Sequence, residues 1–390
     1  MVNERFNLEM KKRDRILKKI IYLALCFVLF SCNKKVSNSE NSNVEERITE
    51  NDLTVRAEEA ADSIQAGMTL EEMVGQCLMP SIYANSDPAS ISLLRKYIED
   101  YHVGGIVLLK GNLNGARKLA EIGASARIPL FIAIDAEWGL GMRLEDAPVY
   151  PKNGNLGNES DDTELFDYGF HIAEEAKEVG INMVLGPVID IATMYPGVIG
   201  ERSFGDNPKI VSEYGVAYAK GLESGGVISV AKHFPGHGST KTDSHRGVAK
   251  VERDIAALDS IDLLPFREYV NVGLTGIMAG HIQSLALDPE GRAATVSIDM
   301  LTSLLREEMG FQGLVLTDAF DMGGAKGFSA VEALKAGADL ILCPENLEKE
   351  YFNIMEAVED GDLDISVVKD RCSRILFYKY LFKILQVKDF

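Results

Sequence analysis

The sequence predicts an α/β fold of the (β/α)₈ TIM-barrel type, carried on one domain. Eight short apolar runs rich in β-branched residues are separated by longer segments with helical spacing. The runs are almost wholly apolar rather than alternating, as expected of a parallel sheet covered on both faces. No G-x-G-x-x-G follows the first run, which weighs against an open dinucleotide-binding sheet.

The runs read as strands are QCLMPSI (76–82), GGIVLL (104–109), LFIAID (130–135), MVLGPVI (183–189), VISVAKHF (227–234), GIMAGHI (276–282), GLVLTD (313–318) and LILCP (340–344). GMTLEEMVGQ reads as a helix ahead of the first strand, and ELFDYGFHIAEEAKEVG and SIDMLTSLLREEMG as helices between later ones. The last opens on a Ser/Asp cap signal and closes on Gly310.

A chain of 390 residues suits a single barrel with insertions, and 46% hydrophobic residues can fill a large core. The net charge of -19 makes nucleic acid an improbable partner, because its phosphates would be repelled.

The first 32 residues stand apart. Lys11, Lys12, Arg13, Arg15, Lys18 and Lys19 precede the uninterrupted apolar run from Ile20 to Phe30. That run is shorter than the roughly 20 residues a bilayer-spanning helix needs, but it suits a signal-peptide core. Its end, Leu29-Phe30-Ser31-Cys32, resembles a bacterial lipoprotein processing site, with Cys32 as the lipidated residue. The expected organisation is therefore a signal peptide over 1–32, a polar tether over 33–52 and a barrel over 53–390. Multiple acyl tails at Cys32 would give stable anchoring to a bacterial membrane. Cys77, Cys343 and Cys372 form no disulfide framework and read as buried thiols.

In a barrel of this type, chemistry collects where strands end and the following loops begin. Asp135 ends the third run and is followed by AEWGLGMRL, with the chain's one tryptophan, Trp138, and Arg143. Arg202 lies in ERSFGDNP after the fourth run. The fifth runs into Lys232 and His233 and then PGHGSTKTDSH, the sixth ends near His281, and the seventh ends at Asp318.

Directly after an apolar strand, Asp318 should be partly desolvated, and it suits a nucleophile or a support for a developing cation. It could equally cap the next helix. Asp321 is a rival carboxylate farther from the strand end. In the loop after the fifth run, Asp243 stands two residues from His245, close enough to orient the imidazole for proton transfer near neutral pH. His233 and His237 have a metal-like spacing only on a helix, which Pro235-Gly236 forbids. Lys232, Arg143 and Arg202 could donate to sugar hydroxyls or anions, or serve as structural ion pairs. Asp135 could accept from vicinal hydroxyls, and Trp138 could stack on a ring or simply pack.

KHFPGHGSTKTDSH, with GFQGLVLTDAFDM downstream, closely resembles glycoside hydrolase family 3, in particular its β-N-acetylglucosaminidases. The resemblance spans roughly residues 53 to 385. It implies Asp318 as nucleophile, the Asp243/His245 dyad as acid/base, and Asp135, Arg143, Arg202, Lys232 and His233 as sugar-binding residues. The third-strand loop departs from the usual DQEGGRV by reading DAEWGLGMRL, so Arg143 and the subsite beyond the first sugar match less closely. The resemblance also implies a single-domain member without a C-terminal sandwich, acting on terminal N-acetylglucosamine of cell-wall fragments without metal or organic cofactor. Other family 3 glycosidases or phosphorylases, a glycan-binding lipoprotein and a metal-dependent hydrolase are the competing readings.

Overall fold

A computed structural model describes residues 50–156, 161–194, 197–240, 242–244 and 247–386. The expected signal peptide, Cys32, nearly all of the expected tether and His245 lie outside the described residues.

Strands form in all eight apolar runs, and the strand Ala249–Lys250 lies outside them. They are β1 (Leu78–Met79), β2 (Ser81–Ala84), β3 (Gly105–Gly111), β4 (Phe131–Ile134), β5 (Met183–Val184), β6 (Ile228–Phe234), β7 (Ala249–Lys250), β8 (Gly276–Ala279), β9 (Ile282–Gln283), β10 (Leu314–Thr317) and β11 (Ile341–Leu342). Seven of them make one sheet in the order β10-β8-β6-β5-β4-β3-β2, with every neighbour parallel. Every residue of β4, β6, β8 and β10 is buried, because helices cover one face and the sheet's own curvature covers the other.

The first expected strand is split at Pro80, which has no N–H to give to a ladder. Its carbonyl still accepts from Val107 N at 3.0 Å, so the chain stays in line. The split leaves β1 paired in parallel with β11 as a separate two-stranded unit. β11 meets β10 through the Leu316–Leu340 bridge. The coarse expectation of a curled parallel α/β sheet of TIM type therefore matches, with the eighth unit set apart from the seven.

Helices return the chain between strands. Leu70–Gln76 is closed by a Thr69/Glu72 capping box, which satisfies two otherwise orphaned N–H groups. Asp162–Glu178 is capped by Asp161, and Pro208–Ser224 by Asn207 with Pro208 in its first turn. These two helices pack so closely that a Cβ on Gly169 would sit 2.1 Å from the Tyr218 carbonyl oxygen. The helix Asp299–Glu308 begins with Ser297 Oγ accepting from Met300 N, and the chain then turns at Gly310 with φ +75.

An opening helix, Glu50–Ala66, was not anticipated, and its first residues fall within the expected tether. It lies against the closing helix Ile365–Leu381, to which Gln65 Nε2 donates at Lys369 O, 2.7 Å. Among the described residues no helix is long and apolar enough to cross a membrane. Cys77, Cys343 and Cys372 are free and buried, and burial pushes their thiols up.

Candidate active site

The carboxyl ends of β4, β6 and β10 supply a connected set of charged side chains. β6 carries a register shift against β8 between Lys232 and Phe234, so His233 is an inserted residue. A bulge of this kind re-aims side chains at a sheet's end. Lys232 and His233, which would face opposite ways in a regular strand, both find polar partners here.

Lys232 Nζ donates to Asp135 Oδ1 at 2.7 Å and lies 2.9 Å from Glu137 Oε1. Arg143 Nη2 donates to the other oxygen of Asp135. Arg202 grips Glu137 with two bonds, Nε to Oε2 at 3.0 Å and Nη2 to Oε1 at 2.7 Å. Three cations thus surround two carboxylates, and the alternative reading of the basic residues as ion-pair partners is realised at each of them. Burial pushes the Asp135 carboxyl up, but Lys232 and Arg143 outweigh it and drive it far below the usual range. Burial likewise opposes the charge on Glu137, yet Lys232 and Arg202 bring it down to about 2. Lys232 in turn is held charged, its desolvation overcome by Asp135 and Glu137.

His233 is oriented by Asp190, a buried aspartate at the end of the segment after β5. Asp190 Oδ2 accepts from the His233 backbone N at 3.1 Å and lies 2.7 Å from its Nδ1. Its Oδ1 accepts from His237 N at 2.6 Å. With Nδ1 engaged on Asp190, Nε2 faces Arg202 Nη2 at 3.5 Å. His237 spends both ring nitrogens locally, on Thr240 Oγ1 and on Ser244 Oγ at 3.0 Å. Among the described residues no group of three or more His, Cys, Asp or Glu could hold a metal ion.

Asp318 follows β10 and is 8% exposed. Its N–H donates to Ala279 O at 2.8 Å, and among the described residues its Oδ1 accepts from the adjacent Ala319 N. That bond lies within the turn, so the side chain is not a helix cap. Desolvation pushes its carboxyl up, but His233, His281, the Ala319 N–H and Lys232 together hold it below its ordinary value. An ionised, buried carboxylate in the field of a lysine and an imidazole has the chemistry for nucleophilic attack. Asp321, the rival, is exposed. His281 is fully buried and fixes the loop that carries Asp318, through Ala319 O at 3.0 Å and Thr295 Oγ1 at 2.8 Å.

Asp243 lies on a turn that Gly247 N closes on its carbonyl at 3.3 Å. Beyond it the chain enters β7, which pairs in parallel with β9 just after His281. The loop's far end is thereby anchored beside His281, whose carbonyl accepts from Ala249 N at 3.1 Å. Trp138 is half-buried, with Lys152 Nζ 5.6 Å from its ring centroid, so one face meets a cation.

The structure brings Asp135, Arg143, Arg202, Lys232, His233 and Asp318 into one electrostatically linked group. Glu137 and Asp190 belong to it and were not singled out from sequence. Asp190 ends the VLGPVID segment and satisfies the same strand-end rule that located Asp135 and Asp318. Glu137 is legible only through its pairing with Arg202, 65 residues away.

The arrangement is that of an α/β domain whose chemistry gathers at the carboxyl ends of a curled parallel sheet. The chain belongs to glycosyl hydrolase family 3: residues 69–377 match the Glycosyl hydrolase family 3 N terminal domain. A beta-hexosaminidase A from Pseudoalteromonas piscicida is 32% identical over 81% of this chain and 62% of its own length. A beta-hexosaminidase from Nitrosomonas eutropha is 34% identical over 62% of this chain and 73% of its own. The family 3 beta-N-acetylglucosaminidase of Paenibacillus sp. str. FPU-7 superposes with a TM-score of 0.76 at 32% identity, over 82% of this chain and 63% of that one. The chain thus spans less than two thirds of the Pseudoalteromonas and Paenibacillus proteins.

Proposed function

We propose that this protein is a retaining exo-β-N-acetylglucosaminidase that releases terminal N-acetylglucosamine from cell-wall fragments. The observation that carries the reading is Asp318: buried, ionised, at a strand end, and within the field of Lys232 and His233. The hexosaminidase and N-acetylglucosaminidase relatives support the sugar.

In the first step Asp318 attacks the anomeric carbon as the glycosidic C–O bond breaks, and the His245 imidazolium gives its proton to the leaving oxygen. In the second, His245 takes a proton from water, the water oxygen bonds the anomeric carbon, and the Asp318 carboxylate departs. Asp243 orients the imidazole. Asp135 and its cations, with Arg202 and His233, bind the sugar hydroxyls. A histidine acid places no second carboxylate beside Asp318, so the first step meets little charge repulsion.

The test compares aryl-N-acetylglucosaminide with aryl-glucoside turnover, with and without phosphate. Preferential hydrolysis of the first, unaffected by phosphate, is expected. A phosphate-dependent rate would instead indicate a phosphorylase, and turnover of neither would indicate a binding protein. Loss on chelation restored by zinc would replace the reading with a metal-dependent one.

We also propose that the sheet closes into an eight-stranded barrel. Support comes from Thr317 N donating to Leu340 O at 2.9 Å, Phe320 N to Leu342 O at 2.9 Å, Ile341 N to Cys77 O at 2.8 Å and Cys343 N to Met79 O at 2.8 Å. These bonds run from β10 through β11 to β1. Finally, the basic, apolar and Leu-Phe-Ser-Cys segments at the start of the sequence support export and lipid anchoring at Cys32, with the catalytic domain tethered to a bacterial membrane.

A further inference from the structure

Between Asp243 and His245 in the sequence stands Ser244, only 3% exposed although its loop is long and lies at the mouth of the sheet. Two bonds account for its burial. Its Oγ is 3.0 Å from His237 Nε2, and its carbonyl accepts from Gly324 N at 2.9 Å. His237 is itself fixed, because its N–H donates to Asp190, the same carboxylate that orients His233. Gly324 belongs to the loop that follows Asp318. A side chain at Gly324 has no room, because a Cβ would sit 2.6 Å from Ser244 O, 3.0 Å from His281 Cβ and 3.3 Å from Gly247 O.

We propose that Ser244 is a positioning residue that seats the turn beginning at Asp243 against the loop following Asp318, using Gly324 as its receiving surface. This rests on the reading of Asp243 and His245 as the acid/base pair. The carbonyl bond ties the acid/base loop to the β10 loop, and the hydroxyl bond ties it to the imidazole chain behind the sugar site. The glycine at 324 is required by close approach rather than by an unusual backbone angle. Misplacing a catalytic group by about 1 Å costs on the order of 10² in rate, so a displaced turn should cost acid/base catalysis while leaving Asp318 in place.

The test uses Ser244→Ala and Gly324→Ala in the intact protein, beside Asp243→Asn and His245→Ala. Each is assayed on aryl N-acetylglucosaminides with good and poor leaving groups, with and without azide. Azide attacks the glycosyl-enzyme without needing a base, so it rescues a slow second step only when acid/base help is what was lost. Expected for Ser244→Ala and Gly324→Ala is deglycosylation slowed by on the order of 10-fold to 10²-fold. Accumulation of glycosyl-enzyme with good leaving groups and recovery with azide should accompany it. Folded variants whose rates fall equally on all substrates, with no azide recovery, would overturn the positioning role while leaving the dyad standing. If Asp243→Asn and His245→Ala also lack the azide signature, the dyad assignment itself falls, and this inference with it. Should Gly324→Ala fail to fold, Ser244→Ala decides alone, since it removes one hydroxyl and adds no bulk.

Discussion

Asp190 holds His233 at two points, its Oδ2 accepting the backbone N–H at 3.1 Å and facing the ring Nδ1 at 2.7 Å. Its other oxygen accepts the His237 N–H, so the carboxylate has three donors and no solvent. An amide offers one accepting atom where the carboxylate offers two. Asp190→Asn should therefore leave at least one donor facing an NH₂ group, at a cost of about 1–3 kcal/mol. With the NH₂ in the place of Oδ2, the His233 backbone N–H and ring both lose their acceptor. The expected outcome is a KM increase on an aryl N-acetylglucosaminide with a melting temperature lowered by several degrees. Unchanged kinetics in a destabilised protein would confine Asp190 to a structural role.

Asp318→Ala tests the nucleophile directly. The side chain makes one local bond, to Ala319 N, so its removal should leave the fold nearly intact. Turnover should fall by on the order of 10⁴ or more, as for nucleophiles that act within a unit. Peptide mapping of the wild-type enzyme trapped with a fluorinated sugar should place the label on Asp318. A label on Asp321, or near-normal turnover by the variant, would move the nucleophile to the exposed carboxylate.

Much of this was legible in the sequence because the strands are continuous apolar runs and the polar residues ending them stand out. Asp135, Lys232, His233 and Asp318 were located in this way, and each occupies a strand end. Glu137 was missed because its meaning depends on Arg202 and Lys232, both distant in sequence. β7 and β9 are two residues each and exist only through pairing with one another, which no local pattern announces. The split at Pro80 was a local signal and could have been read, since proline cannot donate to a ladder.

Glu137 should govern part of the acid limb of stability. Its folded value lies at about 2, against an ordinary 4.5. A depressed carboxylate stabilises the fold fully above the unfolded value and loses that contribution as pH falls through 4.5 toward 2. Glu137 is fully buried, so the shift corresponds to about 3 kcal/mol. Glu137→Gln should be less stable than wild type at neutral pH, with the gap shrinking as pH falls below about 4.5. Urea unfolding across that range measures it. A gap that stays constant with pH would show that Arg202 and Lys232 do not hold Glu137 ionised.

Anchoring is tested by Cys32→Ser. If Cys32 is the lipidated residue, the variant should leave the membrane fraction while keeping its activity, because the described domain begins well downstream. Unchanged fractionation would mean that the apolar run from Ile20 to Phe30, or something else, does the anchoring.

Lys379 lies far from this chemistry, in the closing helix, yet it is fully buried. Its Nζ donates to Gln76 Oε1 at 2.7 Å and lies 5.1 Å from the centroid of the Phe131 ring. One neutral acceptor and one ring face compensate poorly for lost water, and burial brings the ammonium down to about 7 from 10.5. Between these two values the unfolded chain binds the proton and the folded chain does not, so stability should rise with pH across that window. Below about 7 the folded state carries the whole cost of a buried charge. Lys379→Met keeps the volume and removes the titration, at the expense of leaving the Gln76 carbonyl without its donor. The melting temperature of wild type minus that of the variant should therefore increase steadily as pH rises from about 7 toward 10.5. A difference independent of pH would mean that Gln76 and the Phe131 face are enough to keep Lys379 charged. The closing helix would then be pinned to the sheet by a permanent buried cation.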